Sequence, residues 1–216
     1  IFAMPEVGIG FFPDVGGSFL LPRLSGAYGR YLALTGARSL WGDQCWSGLA
    51  THTVTSANLS ALVEALCAEE RSPDAIIGAF HAAPQREVNE AAMHAINKHF
   101  SLGSVEAIIS SLEHDADEDP FVASTLDLVR RKSPTSLRVA LVQLDAGAVL
   151  EMDECMRMEF RIVSRMLQGH DFYEGIRAAV IDKDGAPRWQ PSALEDVSDE
   201  MVDAYFAPLP GGELAL

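Results

Sequence analysis

The sequence predicts an α/β fold in which a mixed segment over residues 1–70 precedes a mainly helical region over residues 71–216. Glycines, prolines and short apolar runs crowd the first 55 residues, as expected for short strands, turns and short helices. From about residue 70, apolar residues recur at helical spacing with few breaks. The 216 residues are 48% hydrophobic, which suffices for one sizeable core with a helical appendage.

Local signals in the first segment predict two short strands and a glycine-rich loop. The apolar run at 2–4 predicts a buried strand end, because three apolar residues stand directly before a proline. The glycines and prolines of 7–17 predict a loop. Alternation of polar and apolar residues over 51–55 predicts the second strand.

Capping residues mark the helices of the first segment. Ser18 is expected to cap a short helix that Pro22 bends or ends. Gly36 is expected to end the next helix, and Asp43 to cap another short one. The expected boundaries are 18–24, 27–35 and 56–69.

Helical periodicity dominates the second region. The expected helices are 74–81, 104–113, 121–131, 134–145, 150–168, 171–181 and 198–206. In the long helix one apolar stripe is expected along Met152, Cys155, Met156, Phe160, Val163 and Leu167. Asp171 with Glu174 three residues later predicts a helix cap, in preference to a His170–Asp171 catalytic dyad.

The composition excludes several classes of function. A net charge of −15 argues against phosphate-backbone binding, so no nucleic-acid partner is expected. The three cysteines form no CxxC pair, and the histidines lack metal-ligand spacing, so neither a disulfide framework nor a metal is expected. No apolar run reaches 18 residues, so no membrane span is expected. The chain opens without Met, on what reads as mid-strand sequence, and we expect its natural beginning to lie elsewhere.

Two acids, Glu6 and Asp14, stand in the apolar, glycine-rich stretch IFAMPEVGIGFFPDVGG. Pro5 and Pro13 restrict the backbone before each acid, and Gly10 permits close approach or positive φ. A carboxylate removed from water has a raised pKa, which suits proton transfer or nucleophilic attack near neutral pH. The residues alone leave two simpler readings open, a surface glutamate and an aspartate that caps the next helix.

Longer motifs carry a resemblance to a known family. The stretches MPEVGIGFFPDVGG and LPRLSGAYGRYLALTGAR, then SGLATHTV, SPTSLRVAL and MEFRIVSRMLQGHDFYEGIRAAVIDKDGAPRW, resemble the 3-hydroxyisobutyryl-CoA hydrolase branch of the enoyl-CoA hydratase/isomerase (crotonase) superfamily. Hydratases of the superfamily carry PGAGG or similar where this chain has PDVGG, and the hydrolase branch carries an aspartate there. The implied fold is the C-terminal portion of a crotonase-like ββα spiral, followed by a mainly helical C-terminal region.

The resemblance also implies roles for individual residues. Glu6 matches the catalytic glutamate, acting either as the nucleophile on the thioester carbonyl or as the base that activates water. Asp14 matches the second acid, which holds the substrate's β-hydroxyl or directs the water. Gly10 and Phe11 match substrate-binding positions, and Lys183 matches a segment near the CoA nucleotide, although a solvated lysine is an equally good reading. CoA is part of the substrate, so no separate cofactor is expected.

The same resemblance implies that part of the machinery is absent from this chain. The oxyanion hole, most of the CoA-binding loop and the bulk of the spiral core lie upstream in the family. A separate chain, proteolysis or an incomplete sequence would each account for this. We expect the isolated chain to be inactive and the missing N-terminal half to be its partner, with assembly into a homo-oligomer also consistent with the family.

The implied activity is hydrolysis of 3-hydroxyisobutyryl-CoA in valine degradation. One alternative is an enoyl-CoA hydratase or isomerase of the same fold. Another is a non-catalytic structural subunit of a large assembly such as a mitochondrial ribosome, which does not need the two acids. The expected location is the mitochondrial matrix in a eukaryote and the cytoplasm in a bacterium.

Overall fold

The computed structural model describes residues 1–68 and 70–216, and these fold into α-helices joined by short 3-10 turns. The helices in chain order are α1 (Gly17–Leu20), α2 (Tyr28–Thr35), α3 (Trp41–Ser47), α4 (Leu59–Ala68), α5 (Pro73–Phe80), α6 (Glu90–Phe100), α7 (Val105–Asp115), α8 (Pro120–Arg130), α9 (Pro134–Gly147), α10 (Met152–Met166), α11 (Asp171–Ile176) and α12 (Asp199–Phe206). None of these helices has the length and apolar character needed to cross a bilayer.

The two strands predicted from the sequence are wrong. Among the described residues, β pairing is limited to one isolated antiparallel bridge between Phe2 and Ser39. The segment 51–55 is extended, but Thr53 bonds to Ala82 at the end of the α5 region instead of joining a ladder. A strand needs a neighbouring strand to satisfy its backbone, and local alternation of residues cannot supply one. The ββα spiral is therefore not seen in this part of the fold, and a domain boundary near residue 70 stays a prediction.

Most helix predictions are confirmed, because short polar side chains mark where the helices begin. Side-chain oxygens accept a backbone N–H at the starts of α5 to α9 and α12, and the residues that do so are Ser72, Asn89, Ser104, Asp119, Ser133 and Ser198. Each such cap is worth about 1 kcal/mol. Gly36 ends α2 with φ 67°, as expected.

Other local predictions differ from the structure. The pattern does not predict α6, whose buried face is formed by small and apolar residues such as Ala92 and Ile96. Asp43 lies inside α3, and its carboxylate accepts backbone N–H bonds from Glu87 and Val88. The helix end predicted at residue 69 lies outside the described residues.

Two hydrophobic cores organise the part of the chain that the structure describes. The larger surrounds α2 and includes Leu32, Leu34, Ile96, Phe100, Ile108, Leu112, Val129 and Leu144. The smaller lies between α9, α10 and α12 and includes Phe11, Phe12, Val139, Met158, Ile162, Met166, Val197 and Val202. Burying each such side chain contributes roughly 1.5–3 kcal/mol, so each core holds its surroundings firmly.

The segment with the two acids joins these cores. Val7 is buried in the larger core, whereas Phe11 and Phe12 are buried in the smaller one. Glu6 therefore stands at one end of the segment, and Asp14 just past its other end. Because both ends are anchored by apolar side chains, the backbone between the acids has little freedom.

Candidate active site

Glu6 begins a 3-10 turn, Glu6–Ile9, and the turn sets the direction of its side chain. The Glu6 carbonyl accepts hydrogen bonds from the N–H groups of Gly10 and Phe11, the latter at 3.0 Å. Gly10 takes φ 69°, a left-handed conformation that glycine adopts at little cost. The turn therefore closes tightly, and the chain reverses directly after Ile9.

Helix α11 packs against this turn from one side. A Cβ atom at Gly10 would lie 2.3 Å from the backbone C and O atoms of Asp171. A Cβ atom at Gly175 would likewise lie 2.3 Å from the C and O atoms of Ile9. Only glycines permit such close backbone contact, so Gly10 serves packing as well as turn geometry.

Asp171 makes that contact rigid. Its carboxylate accepts a 2.6 Å bond from the Ser133 hydroxyl, which also caps α9, and a 2.8 Å bond from the Gln190 N–H. The prediction that Asp171 and Glu174 cap their own helix is wrong, because Glu174 binds the Arg177 guanidinium and the Arg188 N–H. Asp171 instead ties α9, α11 and the following loop to the turn that carries Glu6.

The Glu6 carboxyl group is partly buried and incompletely bonded. Its Oε2 atom is shielded from solvent and has no hydrogen-bond partner. Burial is the main cause that raises the pKa of Glu6 to about 7; a backbone hydrogen bond opposes the rise, and the negative charge of Asp14 adds to it. A carboxyl group with this pKa exchanges protons readily at neutral pH.

Asp14 lies close enough to Glu6 for its charge to affect that titration. Burial also raises the pKa of Asp14 above its usual range. On its N-terminal side, the carbonyl of Pro13 accepts a 2.6 Å bond from the Gln143 amide of α9. On its C-terminal side, the Asp14 carbonyl accepts a 2.9 Å bond from the Gly17 N–H. The structure thus places the two predicted acids within range of each other's charge, and their catalytic roles stay predictions.

An open, mainly apolar cavity of about 340 Å³ adjoins Asp14. Its lining residues are Phe12, Asp14, Val15, Met156, Glu159, Phe160, Val163 and Leu214. Asp14 and Glu159 are the acids of this lining. A small molecule with an apolar body and a few polar groups is the type of ligand such a cavity accommodates.

Glu159 is a residue that the sequence analysis missed. The stripe predicted for the long helix is right only in part, because Cys155 is buried but Met152 and Leu167 are exposed. The rest of the buried face of α10 is formed by Met158, Glu159, Ile162 and Met166. The Glu159 carboxylate accepts hydrogen bonds from the backbone N–H groups of Gly16 and Ser18. A glutamate at 3–4 residue spacing among buried apolar positions is the signal that could have identified it.

The other predicted substrate-binding residues do not join the acids so directly. The side chain of Phe11 is 8% exposed and packs against Phe12 and Phe172, with ring centroids 4.7 and 4.9 Å away. Lys183 is exposed and has φ 56°, in a loop organised by Arg177. Contacts of Gly10, Phe11 and Lys183 with a substrate stay predictions.

Comparison with known proteins places this geometry in a family. A family model described as enoyl-CoA hydratase/isomerase matches residues 1–206. Curated proteins named 3-hydroxyisobutyryl-CoA hydrolase, mitochondrial, from Gallus gallus and Mus musculus are 43% and 42% identical to the chain. The alignments cover 100% and 99% of this chain but 58% and 57% of those proteins, so the chain spans less than two thirds of their length.

Solved structures agree with this assignment. A carnitinyl-CoA dehydratase from Mycobacterium thermoresistibile matches with a TM-score of 0.86 and 35% identity, over 97% of this chain and 60% of its own. An enoyl-CoA hydratase from Rhodobacter sphaeroides 2.4.1 matches with a TM-score of 0.81 and 36% identity, over 99% and 61%. The resemblance seen in the sequence motifs is confirmed, the fold is crotonase-like, and the chain belongs to the enoyl-CoA hydratase/isomerase family.

Proposed function

We propose that this chain carries the two catalytic acids of a 3-hydroxyacyl-CoA thioester hydrolase whose substrate is 3-hydroxyisobutyryl-CoA. The observation that carries the proposal is the Glu6 carboxyl group, with one buried unpaired oxygen and a pKa raised to about 7. Asp14 gives the site a second carboxyl group, so one acid can carry out the attack while the other recognises the substrate. The relatives named as hydrolases of this substrate support the same assignment.

Two routes to hydrolysis fit Glu6. In the first, a Glu6 oxygen attacks the thioester carbonyl, the C–S bond breaks, the CoA thiolate takes a proton, and water hydrolyses the resulting anhydride. In the second, ionised Glu6 takes a proton from a water molecule that attacks the same carbonyl. Both routes need the ionised carboxylate, so the rate should rise as pH passes through the Glu6 pKa.

Asp14 is the proposed partner of the substrate's β-hydroxyl. A hydroxyl donor satisfies a partly desolvated carboxylate, whereas a substrate without that hydroxyl leaves it unpaired. Sites built to bond a hydroxyl discriminate strongly against analogues that lack it. This role accounts for an acid at a position that adjoins an otherwise apolar cavity.

The rest of the active site belongs, in this proposal, to an N-terminal half like the part of the relatives that this chain does not span. That half would supply the ββα turns, the oxyanion hole and most of the CoA-binding loop. This chain would supply Lys183, which would bind a phosphate group of CoA. The enzyme would act in valine degradation, in the mitochondrial matrix of a eukaryote or the cytoplasm of a bacterium, and needs no cofactor beyond the CoA of its substrate.

The test uses the full-length natural protein and the 216-residue chain in parallel. The full-length protein should release free thiol from 3-hydroxyisobutyryl-CoA faster than it hydrates crotonyl-CoA, and the 216-residue chain should do neither. Hydration without thiol release would favour the hydratase reading, which the solved enoyl-CoA hydratase relative represents. Thiol release by the short chain alone would overturn the requirement for an N-terminal half.

A second experiment separates the two routes. Acid quenching during turnover, followed by peptide mass spectrometry, should find an acyl adduct on the peptide containing Glu6 if that residue is the nucleophile. A Glu6→Gln variant provides the matched control, since its amide cannot form the anhydride. Absence of the adduct under burst conditions would assign Glu6 as the base.

A further inference from the structure

The turn that presents Asp14 is strained. Val15 has φ 54° and Gly16 has φ 84°, so two successive residues are left-handed. A β-branched residue in this region is an outlier that costs on the order of 1–3 kcal/mol. The Val15 side chain is 85% exposed, so burial of its own methyl groups does not offset that cost. Contacts from elsewhere in the molecule must hold the turn.

Glu159 of α10 supplies those contacts. One carboxylate oxygen accepts a 3.0 Å bond from the Gly16 N–H, and the other accepts a 3.1 Å bond from the Ser18 N–H. The Ser18 hydroxyl donates to the same second oxygen. Glu159 is 3% exposed, so these charge-assisted bonds form away from solvent and are expected to be strong.

The hydrogen bonds to Glu159 begin at Gly16, two residues after Asp14, and another long-range hydrogen bond lies at Pro13, directly before Asp14. The Gln143 amide donates a hydrogen bond to the Pro13 carbonyl, so side chains of helices α9 and α10 bind the backbone on both sides of Asp14. Asp14 and Glu159 also line the same cavity. A change in the Glu159 bonds would therefore redirect the Asp14 carboxylate before it affected the Glu6 turn, which α11 supports separately.

We propose that Glu159 is a positioning residue that holds the strained Asp14–Gly16 turn so that Asp14 faces Glu6 and the substrate's β-hydroxyl. The part concerning the β-hydroxyl rests on the function proposed above. With Gln at 159, an amide NH2 group replaces one carboxylate oxygen and opposes an N–H donor, so the strained turn relaxes. The Asp14 carboxylate then loses its fixed position, while the Glu6 carboxyl group keeps its own.

The kinetic test compares two substrates in the full-length natural protein, 3-hydroxyisobutyryl-CoA and isobutyryl-CoA, which lacks the β-hydroxyl. Glu159→Gln should lower kcat/KM for the hydroxylated substrate by roughly 10- to 100-fold. It should leave kcat/KM for isobutyryl-CoA within about twofold, because Asp14 makes no hydroxyl contact there. An equal fall for both substrates would overturn the positioning role.

Asp43→Asn is the matched control. Asp43 is a 2% exposed carboxylate that also accepts backbone N–H bonds across the fold, from Glu87 and Val88, but it lies outside the candidate site. This variant should lose stability and keep the wild-type ratio of kcat/KM between the two substrates. If Glu159→Gln does not fold, Ser18→Ala removes one of the three bonds and should shift the ratio in the same direction by a smaller factor. A Ser18→Ala ratio equal to wild type would then count against the proposal.

A titration decides the geometric part independently of hydrolysis. Carboxyl-carbon NMR should show that Asp14→Asn lowers the Glu6 pKa in the wild-type background and has a smaller effect in the Glu159→Gln background. Equal effects in both backgrounds would mean that Glu159 does not position Asp14. If the wild-type protein lacks hydrolase activity, the proposed function fails, and this titration still supports or refutes the role of Glu159.

Discussion

Replacing Glu6 with Gln should make the protein more stable at high pH while abolishing its activity. The raised pKa of Glu6 means that the folded protein favours the protonated carboxyl group. At low pH the group is protonated in both the folded and unfolded states, so it does not affect the free energy of unfolding. As pH rises from 4.5 towards 7, the unfolded state ionises first and the folded state loses stability.

The size of the effect follows from the shift. A rise in pKa from 4.5 to about 7 corresponds to roughly 3 kcal/mol if the group were fully buried. Water reaches part of the Glu6 side chain, so we expect about 1–2 kcal/mol. Glu6→Gln cannot ionise, and the cost of burying its amide is the same at every pH. The variant should therefore gain about 1–2 kcal/mol relative to wild type between pH 5 and pH 8.

Urea unfolding at these two pH values measures the difference. Glu64→Gln, at an exposed position of α4, is the control and should follow the wild-type pH dependence. The reasoning is refuted if the stabilities of wild type and Glu6→Gln change in parallel with pH. In thiol-release assays of the full-length protein, Glu6→Gln should show no turnover above background, and substantial residual turnover would contradict both catalytic routes.

Three further predictions concern other parts of the site. Asp14→Asn should lower the Glu6 pKa, because it removes a neighbouring negative charge. The midpoint of the pH–rate profile of the full-length protein should then move to lower pH. An unmoved midpoint would contradict the coupling between the two acids. Gly10→Ala should lower the free energy of unfolding in urea by more than about 3 kcal/mol, because its Cβ would lie 2.3 Å from Asp171 backbone atoms. An unchanged urea midpoint would refute the packing argument. Lys183→Ala should raise KM for the CoA ester with little change in kcat, and an unchanged KM would count against a phosphate contact.

Local chemistry explains why most helices could be predicted. Ser104, Asp119 and Ser133 each stand directly before an apolar-periodic run, and each caps the helix that follows. The sequence wrongly predicts strands at 2–4 and 51–55, because strand formation depends on a partner that can be remote in sequence. The buried face of α10 differs in part from the predicted stripe, since Met156 and Phe160 follow the helical period as well as the buried Met158 and Ile162 do.

The amino-acid sequence is enough to find two acids eight residues apart in an apolar, glycine-rich stretch, and its motifs identify the family. The environment of those acids, in contrast, is set by the folded chain. The raised pKa of Glu6 arises from burial in the folded chain, and the backbone on either side of Asp14 is bonded to Glu159 and Gln143, more than 120 positions away. Desolvation and strain are properties of packed surroundings, so no local pattern of residues can specify them.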